Sequence, residues 1–339
     1  MKRALWVLVL WAGCTAPPAS PDAGKAAFRH PHDDVLTLWH GQWLATHNSY
    51  HIQPDIDLVH WSYTHLPLDE QARNQGVRGF ELDLNYVVAE DRIRVFHVAM
   101  VDAVSTCDAF TDCLAALKRF SDAAPQHFPL FVQLEPKTDV TPQNVDTFLA
   151  RVEADILSVW PRERIMTPDD VTGASATLRD ALQERGWPTL AQTRGKVLFV
   201  WDTSGVVRER YSAGMTTLAG KLMFVESAPG DPLAAVTILN DPTTQTAAIR
   251  AALDAHMLVR TRADADSMQV ATSDYTQMNA ALQSSAQVIT TDHPGDKGDG
   301  GYQVKIPGGT PVRCNPVTSA NAGVECTPEA LEDPRALLP

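Results

Sequence analysis

Four short segments in the first 140 residues contain side chains suited to acid–base or metal chemistry. These side chains are His47 and Asn48, Glu81 and Asp83, His97, and Glu135 and Lys137. Alternate residues of a strand share a face, so Glu81 and Asp83 are expected to point the same way. Two parallel carboxylates repel each other unless a cation lies between them, and Glu135 within an apolar run also needs a partner. The pattern predicts a cation site.

The residue types in these segments suit calcium and a phosphodiester. Carboxylate oxygens of Glu81, Asp83 and Glu135 and the amide oxygen of Asn48 are the hard ligands that Ca²⁺ prefers. Two histidines remain for proton transfer. Phosphodiester cleavage needs a cation at the phosphate, one group that activates the attacking oxygen and another that protonates the leaving alkoxide. The segments therefore favour calcium-dependent phosphodiester cleavage.

The net charge of the chain excludes nucleic acid as an expected partner. At a formal net charge of -13, the protein would be repelled by the phosphate backbone. An acidic protein that acts on an anionic phosphate needs local cations. A bound metal meets that need, and Lys137 is a candidate contact for the substrate phosphate.

The segments follow apolar runs that alternate with helical patterns. Eight runs are predicted as strands buried on both faces: 43–46, 77–84, 93–98, 130–134, 197–201, 222–225, 257–260 and 288–291. A further run, 235–239, can also be a strand. One helix is predicted to begin at Pro142, with Thr141 as its N-cap. Another, over 178–185, is predicted to end before Gly186. The alternation predicts an α/β fold, a TIM-type (β/α)8 barrel spanning 36–312, with its catalytic residues at the carboxyl ends of the strands.

The N-terminus resembles a bacterial lipoprotein signal. Lys2 and Arg3 precede an apolar run over 4–12, which is too short to span a bilayer, and Cys14 follows. Segment 1–14 is thus interpreted as a signal, Cys14 as the lipidated residue, and 15–35 as a flexible tether. The alternative is an ordinary cleaved signal with an incidental cysteine. Both predict export, with the protein either anchored in a bacterial membrane or secreted, and a monomer is expected.

The other cysteines form two local pairs, Cys107 with Cys113 and Cys314 with Cys326. An even number in an exported chain predicts disulfides. Neither pair has the short spacing or the neighbouring histidine of a zinc site. Segment 313–339 is accordingly expected to be a disulfide-stapled C-terminal tail.

Several of these motifs, in the same order, resemble calcium-dependent phosphatidylinositol-specific phospholipases C, most closely the bacterial secreted branch. The motifs are His47-Asn48-Ser49-Tyr50, Glu81-Leu82-Asp83, His97 and Leu134-Glu135, and segments 76–80, 260–264 and 290–292 also look similar. The resemblance covers about 42–326. It implies that Asn48, Glu81, Asp83 and Glu135 bind Ca²⁺. His47 would act at the phosphate or as the base, and His97 as the general acid.

Two rival functions remain open at this point. A glycerophosphodiester phosphodiesterase resembles this layout, but its first motif normally has Arg where Asn48 stands. A non-catalytic, lipid-anchored surface binding protein would not need His47 and His97. The substrate expected from the sequence is a phospholipid or a small phosphodiester, because fold alone does not define it.

Overall fold

The computed structural model describes residues 28–55, 61–137, 140–265, 267–295, 301–308 and 310–333. The predicted signal, Cys14 and most of the tether lie outside these residues, as does the end of the tail. No helix in these ranges is long and apolar enough to cross a membrane.

Eight parallel strands form a nearly closed barrel. The whole sheet has ten strands: β1 (Gly41–Thr46), β2 (Gly79–Val87), β3 (Arg92–Val95), β4 (Leu130–Pro136), β5 (Val197–Trp201), β6 (Phe224–Val225), β7 (Val236–Ile238), β8 (Leu258–Arg262), β9 (Val288–Thr291) and β10 (Val312–Cys314). The eight barrel strands pair in the order β6-β5-β4-β2-β1-β9-β8-β7, and a single parallel bridge between Glu226 and Val236 joins β6 to β7. The predicted TIM-type barrel is confirmed.

Helices follow most barrel strands and cover their outer faces. They are α1 (Leu68–Asn74), α2 (Phe110–Ala123), α3 (Val145–Val159), α4 (Pro168–Thr172), α5 (Leu178–Arg185), α6 (Leu190–Thr193), α7 (Gly205–Ser212), α8 (Thr246–Asp254), α9 (Ser267–Thr272), α10 (Thr276–Gln283) and α11 (Pro328–Leu331). Helix α5 ends before Gly186, as predicted. Helix α3 begins later than predicted, because Asn144 closes a turn over Thr141 by accepting its N–H at 2.8 Å.

The third predicted strand does not belong to the barrel. Strand β3 runs antiparallel to β2, with Val95 opposite Leu84, and lies off the barrel path. A parallel neighbour needs a crossover of a dozen or more residues, whereas only four residues separate β2 from β3. The run at 235–239 instead supplies the missing barrel strand, β7. His97 therefore follows a hairpin strand and not a barrel strand.

The barrel wall separates two hydrophobic cores. One fills the barrel interior and includes Trp43, Phe131, Val200 and Phe224, whereas the other lies between the sheet and the helices. Glu81 and Asp83 alternate with the outward Leu82, so both face the interior. Near the carboxyl ends of the strands the interior becomes polar, and charged side chains meet there.

The C-terminal segment closes the opposite end of the barrel. Strand β10 pairs antiparallel with β1, and Val312 and Leu331 join the interior core. The structure contains both predicted cysteine pairs as disulfides, Cys107–Cys113 and Cys314–Cys326.

Candidate active site

Three carboxylates meet at the carboxyl end of the barrel. Glu81 lies on β2, Glu135 on β4, and Asp202 directly after β5, and one oxygen of each lies within 4.8 Å of the others. Glu81 and Glu135 are brought together as the sequence predicted. Asp202 was not predicted, although it is the first polar residue after an apolar strand, a position that faces the catalytic end of a barrel.

Asp83 lies beside this cluster, and its buried carboxylate requires a nearby positive charge. It is fully buried, and its close donors include the Lys137 ammonium and the Tyr50 hydroxyl, neither of which makes a hydrogen bond of good geometry with it. The ammonium of Lys137 lies 3.3 Å from Oδ2 of Asp83 and 2.7 Å from Oε1 of Glu135. Burial raises the pKa of Asp83 well above its usual range, and the charges of Glu135 and Glu81 raise it further, while Lys137 opposes them.

Asn48 is buried in the loop that follows β1. Its backbone is left-handed, with φ of 42°, a conformation that asparagine tolerates better than most residues. Its amide lies between two tyrosines, because Tyr50 donates to Oδ1 and Nδ2 donates to Tyr63, each at 3.5 Å. Both contacts are long, so they leave the amide oxygen available to a stronger partner.

A buried arginine balances the carboxylates from the opposite wall. Arg260 on β8 contacts Oε2 of Glu81 at 2.5 Å and also donates to Asn240. Burial alone would raise the pKa of Glu81, but Arg260 and His47 outweigh it, and the pKa is lowered. Asp202 has no arginine or lysine in contact within the described part of the chain, and burial raises its pKa to about 7. Arg260 stood in a segment that resembled the family, but the sequence did not indicate this contact.

The donor set fits a calcium ion. Glu81, Asp83, Glu135 and the Asn48 amide all offer oxygen, Asp202 adds another carboxylate, and one oxygen each of Glu81, Glu135 and Asp202 lies within 4.8 Å of the others. Lys137 and Arg260 partly neutralise the cluster. These residues are the ones that would hold Ca²⁺.

His47 is held at the edge of the carboxylates by a buried aspartate. Its Nδ1 lies 2.8 Å from Oδ1 of Asp292, which follows β9, and Arg262 contacts the other oxygen of Asp292 at 3.0 Å. Burial would raise the pKa of Asp292, but His47 and Arg262 overcome that effect and lower it. With Nδ1 donating to a carboxylate, Nε2 is the free nitrogen, and it lies 4.0 Å from Oε1 of Glu81.

His97 follows β3 and has its own buried aspartate. Its Nδ1 lies 2.9 Å from Oδ2 of Asp102, and the ring of Trp61 packs against it edge-on at 5.3 Å. Among the described residues, no hydrogen bond joins His97 to the carboxylate cluster. The sequence located both histidines but neither aspartate, because Asp102 and Asp292 come from segments whose approach only the folded chain reveals.

The arrangement supplies the elements of phosphodiester cleavage. An oxygen-rich cation site, two cationic side chains, and two histidines that each bind an aspartate through Nδ1 suit charge neutralisation and proton transfer. This resembles the orienting role of aspartate in other acid–base sites, where the carboxylate fixes which ring nitrogen is free.

A protein-family comparison agrees with this chemistry. The model of the family described as "Phosphoinositide phospholipase C, Ca2+-dependent" matches residues 85–316, which is more than half of the chain. His97, Glu135, Lys137 and Asp202 lie within the match, whereas the β1 and β2 residues of the site precede it. No curated protein sequence matches the chain.

Solved structures of similar fold include three bacterial enzymes. A Ca²⁺-dependent phosphatidylinositol-specific phospholipase C from Streptomyces antibioticus is 20% identical, with a TM-score of 0.56 over 76% of this chain and 95% of that one. A calcium-dependent phosphoinositol-specific phospholipase C from a Gram-negative Pseudomonas sp., in an apo form and myoinositol complex, is 17% identical, with a TM-score of 0.59 over 86% and 99%. The Listeria monocytogenes phosphatidylinositol-specific phospholipase C is 15% identical, with a TM-score of 0.53 over 77% and 91%. At such identities, these likenesses show the barrel fold alone.

Proposed function

We propose, from the premise that this chain belongs to the family of Ca²⁺-dependent phosphoinositide phospholipases C, that its substrate is phosphatidylinositol or a phospholipid with a closely related headgroup. As a member of that family the protein is a phospholipase C-type phosphodiesterase that uses Ca²⁺. The observation that supports the proposal most directly is the oxygen-rich cation site with His47 beside it at the barrel mouth, together with His97 after the strand that pairs with β2.

The proposed metal ligands are Asn48, Glu81, Asp83 and Glu135, with Asp202 as an addition from the structure. When bound there, Ca²⁺ would neutralise charge on the phosphate. Lys137, which Asp83 and Glu135 hold at the same edge, would contact a phosphate oxygen of the substrate. An acidic protein thereby gathers positive charge where an anionic group must bind.

The two histidines would transfer the protons. Nε2 of His47 takes the proton of the inositol 2-hydroxyl as its oxygen bonds to phosphorus, and Glu81, 4.0 Å away, stabilises the cation formed. The bond between phosphorus and the glycerol oxygen breaks, and Nε2 of His97 gives that oxygen a proton. The products are diacylglycerol and a cyclic inositol phosphate, and each proton lost by the headgroup is matched by one delivered to the lipid.

Export and anchoring form a further part of the proposal. The two disulfides suit an oxidising compartment, as expected of an exported protein. The lipoprotein-like sequence that ends at Cys14 supports a lipid anchor at that residue. Incorporation of labelled fatty acid that is lost in Cys14→Ser tests it, and an unlabelled wild-type protein refutes it.

Product analysis with Ca²⁺ titration tests the proposed function. Phospholipid vesicles containing phosphatidylinositol should yield diacylglycerol and cyclic inositol phosphate, detected by phosphorus NMR, only when Ca²⁺ is present. Glycerophosphoinositol serves as the matched substrate for the rival activity. Release of glycerol phosphate from it, with phosphatidylinositol left intact, would favour a glycerophosphodiester phosphodiesterase.

A further inference from the structure

The segment after β3 folds back so that Asp102 lies beside His97. The N–H of Val98 donates to the carbonyl of Asp102 at 3.0 Å, and the N–H of Asp102 donates to the carbonyl of Val98 at 2.9 Å. This closed loop fixes the backbone on both sides of the pair. The Asp102 side chain is buried, and its Oδ2 accepts from Nδ1 of His97 at 2.9 Å.

A second histidine contacts the same carboxylate oxygen. His51 is fully buried, and its Nε2 lies 3.1 Å from Oδ2 of Asp102. Its Nδ1 lies 3.0 Å from the carbonyl oxygen of Tyr63. Because a carbonyl oxygen only accepts, Nδ1 must be the donor there, and the contact of Nε2 with the carboxylate requires a second proton between them.

We propose that Asp102 and His51 form a buried positioning unit that holds His97 for proton donation. The proposal rests on the proposed role of His97 as the general acid. Oδ2 of Asp102 accepts a hydrogen bond from the Nδ1–H of His97, so that Nε2 is presented to the leaving oxygen. His51 holds Asp102 from the other side, and neither residue touches the substrate.

The environment of Asp102 explains why two partners are needed. A buried carboxylate without partners is costly, and Oδ2 of Asp102 has two, whereas Oδ1 has no hydrogen-bond partner among the described residues. Burial would raise the pKa of Asp102, but the hydrogen bonds from His51 and His97 reverse the effect and lower it. Ionised Asp102 then offsets part of the positive charge that His97 bears when it holds the proton to be transferred, because the same oxygen also faces His51.

Substrates that differ in leaving group test this role. A general acid contributes ~100- to 10,000-fold when the leaving group is poor and little when it is good. Asp102→Asn should reduce kcat on phosphatidylinositol by about 10- to 100-fold, the range found for carboxylates that orient metal-bound histidines. Its kcat on nitrophenyl inositol phosphate should stay within about 3-fold of wild type, since nitrophenolate needs no proton. Asp102→Glu should restore part of the loss.

Three controls separate positioning from general stability. In a His97→Ala background, Asp102→Asn should have no further effect on kcat, because its partner is gone. His51→Gln should show the same dependence on leaving group in weaker form. Asp155→Asn, which changes a buried carboxylate on α3 that pairs with Arg151, should leave the leaving-group dependence unchanged.

Two outcomes would overturn the proposal, and they differ from failure of the proposed function. If Asp102→Asn loses the same activity on both substrates while His97→Ala is selective, Asp102 does not act through His97. Additive losses in the double variant have the same meaning. If His97→Ala itself shows no leaving-group dependence, the acid assignment fails instead.

Discussion

At the scale of single residues, the site pairs each histidine with a buried aspartate through Nδ1. His47 contacts Asp292 at 2.8 Å and His97 contacts Asp102 at 2.9 Å. The two pairs differ in their surroundings. Arg262 and the carboxylate cluster border the first, whereas His51 and Trp61 border the second. This asymmetry favours action at the attacking hydroxyl, beside the charged phosphate, for His47 and at the lipid leaving group for His97.

Alanine variants of the histidines should separate the two roles. His97→Ala should lose ~100- to 10,000-fold on phosphatidylinositol and recover most of that on a nitrophenyl ester, because nitrophenolate leaves without a proton. His47→Ala should be impaired on both substrates, since the attacking hydroxyl must lose its proton whichever group departs. Steady-state kcat values on the two substrates provide the measurement, and equal losses for both variants on both substrates would contradict the assignment.

Metal-site variants should reveal which carboxylates bind Ca²⁺. Glu81→Gln, Asp83→Asn and Asp202→Asn should each weaken Ca²⁺ binding by about 10-fold or more, because a hard cation loses a charged ligand. Isothermal titration with Ca²⁺ measures this without reference to turnover. Glu184→Gln, at an exposed carboxylate on α5, is the control. Unchanged affinity in Asp202→Asn would remove Asp202 from the ligand set.

At the scale of elements, strand alternation was enough to predict the barrel, but not which runs build it. The run at 93–98 was apolar enough for a barrel strand, yet its short link to β2 makes it an antiparallel hairpin. The length of the connection, which is visible in the sequence, distinguishes a hairpin from a barrel crossover. Strand β7 has only three residues, Val236–Ile238, and such a short run gives little periodicity to detect.

The same limit applies to the candidate site. Glu81 and Asp83 were predictable because their spacing within one strand fixes their common face. Asp202 and Asp292 sit at single positions after strands, so their type gives no pattern, and their importance depends on which strand ends meet. Asp102 approaches His97 because the loop over 98–102 closes on itself, and no periodic pattern in the sequence predicts that closure. The sequence thus predicts within-element geometry better than contacts between distant loops.

Close approach of two strands makes Gly79 sensitive to any added carbon. A Cβ at Gly79 would lie 2.6 Å from the Cβ of Ala45 on β1. Gly79→Ala should therefore destabilise the protein by about 1–3 kcal/mol, measured by urea unfolding, because the barrel core cannot absorb the atom. Adding Ala45→Gly should restore most of the loss. Gly230→Ala meets no atom within 4 Å and should be nearly neutral.

At the scale of the whole molecule, buried neutral histidines should make stability fall in mild acid. Burial lowers the pKa of His40 to about 4 and of His127 to about 4, from 6.5. A folded pKa below the unfolded one means that unfolding takes up protons between these values. Stability from this source is complete above pH ~6.5 and is lost as the pH falls toward ~4, by up to about 1.4 kcal/mol per pH unit for each histidine.

Urea unfolding between pH 7.5 and 4.5 measures this effect. His127→Gln should reduce the slope of unfolding free energy against pH below pH 6.5, even if it lowers stability at pH 7.5, because one titrating group is removed. Ile156→Val, a destabilising change at a buried residue that does not titrate, should leave the slope nearly unchanged. An unaltered slope in His127→Gln would show that His127 does not contribute to it.

The end of the barrel away from the site depends on an ion pair between distant parts of the chain. Arg78, just before β2, contacts Glu332 at 2.7 Å, and both side chains are almost completely buried. Glu332 also accepts the N–H of Phe128 at 3.0 Å, so a single carboxylate joins the C-terminal segment to two barrel strands. The segment is thereby part of the barrel's closure and not a loose extension.

Removing one partner of this pair should cost far more than replacing both. Glu332→Ala leaves the Arg78 guanidinium buried without its counter-charge, and breaking such a pair typically costs about 3–5 kcal/mol. The double variant Arg78→Met with Glu332→Leu should recover much of that loss, because neither side chain then carries a charge. Urea unfolding at pH 7.5 measures both. Since the pair lies at the amino ends of the strands, kcat of the folded fraction should stay near wild type in each variant. A single variant as stable as wild type would show that solvent reaches Arg78 and that the C-terminal segment does not close the barrel.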